Sequence, residues 1–213
     1  LYLLGWGIPS LFAQVFQNAW VENFDNRNGL SQNTVWSISQ DSRGFLWVGT
    51  DDGLLRYDGY QFKPYRAQIG QSVMGLPSNS IRQLFHNGDE HLWVGTRNGI
   101  AQLNILTDSI RTFLPNVRIR KILPGAKGKL WVCSNKGLYF LDTKSKRTYC
   151  KIPKLNILNA AQLDTNRLLI STSENYWLLD IKKNKYKVVS FGLAPDNDIR
   201  PMQVYNNLIW MGV

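Results

Sequence analysis

Four groups of side chains in this chain have the types and spacing to do chemistry. His86 and His91 stand in HisAsnGlyAspGluHis, with Asp89 and Glu90 between them, a spacing that a divalent metal could use. Asp51 and Asp52 are adjacent carboxylates, the residue type that glycan cleavage uses in pairs. Cys133 and Cys150 are the two thiols. Trp36, Arg82, Arg120 and Arg200, together with Arg97, Asn98 and Lys136, are of the kind that holds a sugar. An indole stacks on the apolar face of the ring, and arginine bridges hydroxyls or a carboxylate.

What these groups can do depends on the elements that carry them, and those elements repeat. LeuTrpValGlyThr occurs at 46–50 and again at 92–96. Weaker copies are LeuTrpValCysSer at 130–134, LeuLeuIleSerThr at 168–172 and IleTrpMetGlyVal at 209–213. The aligned positions Trp47, Trp93, Trp131, Leu169 and Trp210 are 46, 38, 38 and 41 residues apart. A period near 40 means an array of one repeated unit. The longer first step holds an insertion around 69–77.

Each unit reads as four short strands, a to d. In the first, 33–40 alternates and is β-branched, 41–44 (AspSerArgGly) is a turn, and 45–50 is strand b. AspAspGly at 51–53 is a tight hairpin turn, 54–58 is strand c, and 60–65 is a strand d whose Pro64 suits a sheet edge. The b–c turn recurs as ArgAsnGly (97–99), AsnLysGly (135–137) and SerGluAsn (173–175), with Asn175 expected to take the left-handed conformation of the missing glycine. Strand c ends each time at an Asp or Asn: Asp58, Asn104, Asp142 and Asp180. No long helical period occurs. Successive four-stranded antiparallel sheets, each with a core Trp, predict an all-β fold, a β-propeller. Trp47, Trp93, Trp131 and Trp210 fill the gaps between blades. Gly49, Gly95 and Gly212 let the next sheet approach, and Gly53, Gly99 and Gly137 make the turns. Complete blades are expected at about 33–66, 79–114, 117–152 and 156–191, with an incomplete one at 198–213.

This frame demotes most of the chemistry. The histidines flank a β-turn that no other repeat supplies with ligands, so neither a metal site nor a cofactor is expected. Asp51 and Asp52, neighbours on a tight turn, point apart, and no catalytic residue is assigned. Cys133 takes the place of Gly49 and Gly95 as a small packing residue. Cys150 lies two strands away from it, too far to bridge, so two free thiols are expected.

Composition adds direction. The chain has 25 Lys and Arg against 15 Asp and Glu, a formal charge of +10. Up to Arg66 there are five basic and six acidic residues; from Arg97 to Lys187 there are eighteen and five. Such a field is either a solvated rim or an attraction for anionic partners, whether nucleic acid, anionic lipid or acidic glycan. Residues 1–13 are apolar and uncharged and read as the back half of a signal peptide cut after Ala13. The propeller then occupies 14–213.

The segments 29–58 and 79–104, and more weakly 118–142, resemble the two-component regulator propeller family. They share its Asn-Thr/Ser-Val/Ile start, Asp-x-x-Gly turn, Leu-Trp-Val-Gly-Thr and x-x-Gly-Leu. The resemblance implies the periplasmic sensor region of a hybrid two-component histidine kinase. Such a region detects oligosaccharides with seven-bladed propellers. By the same resemblance the parent is expected to be anchored in the inner membrane as a homodimer. It also implies that this chain is the N-terminal part of a longer sensor, partnered by the remaining blades, with 16–24 as a strand d completing the ring. The ligand expected is an oligosaccharide, acidic if the basic excess takes part, and nucleic acid is not expected. A protein-binding propeller and a propeller-type glycan lyase or hydrolase remain the alternatives.

Overall fold

The computed structural model describes residues 22–67, 75–126, 128–189, 202–205 and 208–211. The signal-peptide reading of 1–13, most of 16–24, most of the 69–77 insertion, Arg200 and Gly212 lie outside them. The described chain is all-β apart from one 3-10 turn at Asn26–Asn28. No described helix is long and apolar enough to cross a membrane.

Four antiparallel sheets follow one another, each a meander of four strands. The first is β1 (Val35–Gln40), β2 (Leu46–Thr50), β3 (Gly53–Tyr57) and β4 (Phe62–Tyr65). The second is β5 (Ile81–His86), β6 (His91–Thr96), β7 (Gly99–Asn104) and β8 (Ile110–Phe113). The third is β9 (Ile119–Pro124), β10 (Lys129–Ser134), β11 (Gly137–Asp142) and β12 (Arg147–Pro153). The fourth is β13 (Ile157–Asp164), β14 (Arg167–Thr172), β15 (Tyr176–Asp180) and β16 (Lys185–Val189). A two-stranded sheet, β17 (Met202–Tyr205) and β18 (Leu208–Met211), comes next. The first strands β1, β5, β9, β13 and β17 neighbour one another in order, which is the radial packing of propeller blades about a shared axis.

The repeated phrase builds both the gaps and the turns. Trp47 and Trp93 are fully buried, each against the following sheet: Trp47 with Ile81 and Leu84, Trp93 with Ile119 and Ile122. Trp131 packs with Ile157 and Ala160, and Leu169 takes over the role beside Met202. Truncating such a core aromatic to Ala typically costs about 3–5 kcal/mol. A Cβ on Gly49 would stand 2.7 Å from Ile81 Cγ2, and one on Gly95 2.8 Å from Ile119 Cγ2. Close approach of the next blade requires glycine at these two places.

The last residue of the phrase closes the hairpin. Thr50, Thr96 and Ser134 donate their hydroxyls to the carbonyls of Gly53, Gly99 and Gly137. The same oxygens accept from the amides of Asp52, Asn98 and Lys136. Thr172 repeats the arrangement with the Asn175 carbonyl and the Glu174 amide. Here one expectation fails: Asn175 is not among the residues of positive φ. Thr172 accepts the Asn175 amide as well, and this second bond closes the turn without a left-handed residue.

The c–d turns are held by the Asp or Asn that ends strand c. Asp58 accepts the amides of Tyr60 and Gln61, Asn104 those of Leu106 and Thr107, and Asp142 those of Lys144 and Ser145. Asp180 accepts that of Lys183. These are Asx turns, in which a short side chain stands in for backbone. Trp210 departs from the core role assigned to it. It is 61% exposed, because among the described residues no sheet packs over β18.

Candidate functional site

The innermost strand of each complete blade carries a β-bulge at one position. In β1, Val35 pairs with Thr50 and Ser37 with Gly49, so Trp36 is the extra residue. Arg82 is skipped in β5, Arg120 in β9 and Leu158 in β13. Bulges bend a strand and re-aim a side chain, and they favour functional sites. In three of the four blades the bulge turns two successive side chains toward the axis. Arg82 with Gln83, Arg120 with Lys121 and Leu158 with Asn159 line one cavity of about 740 Å³, together with Trp36. That volume is typical of a ligand site.

The b–c turns of the first two blades contribute their first residue to the same cavity and direct the second away from it. Asp51 and Arg97 line it. Asp52 instead pairs with Arg66 at 2.7 Å, so the two aspartates diverge and form no carboxylate pair. Asn98 bonds outward to the Pro77 carbonyl, and the Lys136 carbonyl accepts the Lys154 amide. The structure therefore brings together Trp36, Arg82, Arg97 and Arg120 of the sequence-predicted residues. Asn98 and Lys136 do not line the cavity, because the turn geometry faces them toward the blade's outer strand. Arg200 lies outside the described residues.

Gln83, Arg118, Lys121, Leu158, Asn159 and Met202 also line the cavity and were not singled out in the sequence. One signal pointed to the bulge. The buried residues of strand a are three apart in Ile81 and Leu84, in Ile119 and Ile122, and in Ile157 and Ala160. A flat strand places only even spacings on one face, so an odd spacing requires an inserted residue.

Asp51 joins the first two blades. It accepts hydrogen bonds from Trp36 Nε1 at 2.8 Å, from the Ser80 hydroxyl and from Arg82 Nη2 at 2.9 Å. Burial alone would raise its carboxyl. The Ser80 and Trp36 hydrogen bonds and the charges of Arg82 and Arg97 outweigh that and hold it below the usual carboxylate value. The Arg82 guanidinium also lies 4.0 Å from the Trp36 ring centroid, a cation–π contact. Trp36 is otherwise 47% exposed, so indole surface remains for a ligand.

The arginines crowd one another. Burial lowers the affinity of Arg82 for its proton; Asp51 opposes this and the charges of Arg97 and Arg118 reinforce it. Burial and then the charges of Arg118, Arg82 and Arg97 do the same to Arg120. Arg120 Nε is buried without a hydrogen-bond partner. No group of metal-ligating side chains occurs among the described residues. His86 Nε2 instead lies 2.7 Å from the Asp89 carbonyl, within its own turn. Both cysteines are free, Cys133 buried and Cys150 exposed.

Comparison with known proteins agrees with this architecture. The model of the two component regulator propeller matches residues 29–52 and 75–98. Over 45 residues the chain is 53% identical to a protein named histidine kinase P4 of Formosa agariphila, a stretch covering 21% of this chain and 3% of that protein. The extracellular domain of a putative hybrid two component system from B. thetaiotaomicron superposes with a TM-score of 0.76 at 23% identity, over 89% of this chain and 29% of that domain. Virginiamycin B lyase from Staphylococcus aureus shares the fold at a TM-score of 0.65 and 13% identity, over 87% of this chain and 65% of the lyase. The chain thus spans a small part of the kinase and under a third of the sensor domain.

Proposed function

We propose that this chain, which carries two component regulator propeller repeats, is a non-catalytic ligand-sensing part of a two-component histidine kinase. Its place is outside the cytoplasm, in the periplasm, and its ligand is an oligosaccharide held in the axial cavity. The observation that supports this reading is the row of bulges. Four consecutive blades each spend an irregular residue on the same cavity, and three of those residues are Trp36, Arg82 and Arg120. Blade packing alone would need the bulge but no indole or arginine at it. An indole and arginines around a partly open cavity suit a sugar, with its apolar ring faces and many hydroxyls.

Binding across several blades supplies the differential contact that a sensor needs. A ligand touching strands of neighbouring blades stabilises one arrangement of them over another, and that shift biases how paired sensors sit together. A glycan-array screen of the complete sensor ectodomain tests the reading. Binding of one oligosaccharide class, weakened at least 10-fold by Trp36→Ala, is the expected result. Absence of any glycan binding, with a protein partner recovered instead, would overturn it.

A further inference from the structure

We infer that the ligand of the axial cavity is a polyanionic glycan, one carrying at least two carboxylate or sulfate groups. The inference rests on the sensing reading of this cavity and adds the charge of the ligand to it. Five cationic side chains line the cavity: Arg82, Arg97, Arg118, Arg120 and Lys121. Asp51 is the one carboxylate among the lining residues, and it is already engaged by Trp36, Ser80 and Arg82. Its ion pair is with Arg82. Among the described residues no ion pair is formed by Arg97, Arg118, Arg120 or Lys121.

Some cations elsewhere in the protein have acidic partners. On the outer strand of the first blade, Lys63 and Tyr65 converge on Asp108 of the second. Arg66 has Asp52, and Arg167 has Asp164. Other cations without an ion pair, such as Lys144, Arg147 and Lys187, stand singly exposed to water, whereas those of the cavity share one space and part of their charge is withdrawn from water. Arg82 and Arg120 are half-buried, and Arg120 Nε is fully buried with no acceptor. A buried donor without a partner is destabilising, more so when charged. Neighbouring like charges add to that cost. A neutral sugar could satisfy the donor but not the charge. A carboxylate or sulfate between Arg118 and Arg120 would do both, and a second such group would meet Arg97 and Lys121. Guanidinium groups suit both oxyanions because their paired N–H groups match two oxygens.

Calorimetric titration of the full chain tests this with five probes: trigalacturonate, a sulfated tetrasaccharide, neutral cellotetraose, inorganic sulfate and single-stranded DNA. One of the two charged sugars is expected to bind at least 10-fold more tightly than cellotetraose, and which one separates carboxylate from sulfate recognition. That affinity is expected to fall at least 10-fold between 50 and 200 mM salt, since each neutralised contact adds to the salt dependence. Arg120→Met should weaken the charged sugar at least 10-fold, while Lys185→Met, on an exposed outer strand, should leave it unchanged. Without ligand, Arg120→Met should melt no lower than the parent, because it removes repulsion and an unpaired donor. A purely structural arginine would give a clear drop instead.

Cellotetraose binding as tightly as the charged sugars overturns the polyanion inference and leaves the oligosaccharide reading standing. Inorganic sulfate binding as tightly as the sulfated sugar overturns the oligosaccharide reading and leaves an anion site. No binding by any probe overturns both, as does single-stranded DNA binding more tightly than every sugar.

Discussion

Within one interface, the chain carries its own natural experiment. Gly95 faces Ile119 and Ile122 of the next blade, and Gly49 faces the position of Ile81 and Leu84. In the third blade the corresponding residue is Cys133, fully buried, and the partner three residues after Ile157 is Ala160. A larger residue on one side thus accompanies a smaller one on the other. Gly95→Cys alone should destabilise. Its Cβ would lie 2.8 Å from Ile119 Cγ2 and 3.3 Å from Ile122 Cδ1, and such overpacking costs about 1–3 kcal/mol. Gly95 has no positive φ, so the cost is steric and not conformational. Ile122→Ala alone leaves a cavity worth about 2–5 kcal/mol. In the double variant the sulfur fills space that the isoleucine vacated. The double variant should therefore be less damaged than the sum of the singles by about 1–2 kcal/mol, the size of coupling seen between touching residues. Urea unfolding under reducing conditions measures it. For a chain of this size each kcal/mol moves the melting midpoint by about 2–4 °C, so a thermal scan also resolves the coupling. Additive costs, within about 0.5 kcal/mol, would refute the idea that blade spacing is set at this contact.

Three further outcomes follow from single sites. Asp41 accepts the buried Trp47 indole at 2.8 Å and the amides of Arg43 and Phe45, so Asp41→Ala should lower stability by about 1–3 kcal/mol, measured by urea midpoint, with Asp41→Asn restoring part of it. Burial would raise the Asp108 carboxyl, but hydrogen bonds from Lys63 and Tyr65 outweigh it and hold it below the usual range. A carboxyl lowered in the folded state contributes stability above its unfolded value, near 3.9, and loses it as pH falls through the lower folded value. Unfolding midpoints of the parent and Asp108→Asn should therefore converge below pH 4 and separate above it. Burial pushes the Cys133 thiol up to about 12, so a thiol reagent at pH 8 should titrate one cysteine in the folded chain and two in denaturant.

The parts of this fold legible in the sequence are those set by local chemistry. The Asx turns at Asp58, Asn104, Asp142 and Asp180, the turn glycines and the core tryptophans each announce themselves within a few residues. Asp41 was read as a turn residue, yet its bond to the Trp47 indole depends on strand b curling back, which no local pattern states. The cavity was less legible because it depends on hydrogen-bond register. Trp36, Arg82 and Arg120 could be aligned by repeat, but Gln83, Lys121 and Asn159 face the axis only because a bulge breaks the alternation. Arg118 precedes its strand, and Met202 comes from the next repeat, so neither shares the aligned slot.

The bulge also ties packing to recognition. Without the extra residue, Ile81 and Leu84 would fall on opposite faces of β5, and one of them would leave the core. Removing Arg82 therefore destroys the interface with the first blade, whereas replacing it changes only the cavity and the Asp51 bond. The bulge position is the one place in strand a where the side chain is free of the ladder and of the core at once. Residue type varies there blade by blade, as Trp36, Arg82, Arg120 and Leu158 differ, while Ile81, Ile119 and Ile157 beside the last three are the same. A change of ligand and a change of stability are thus assigned to adjacent residues of one strand.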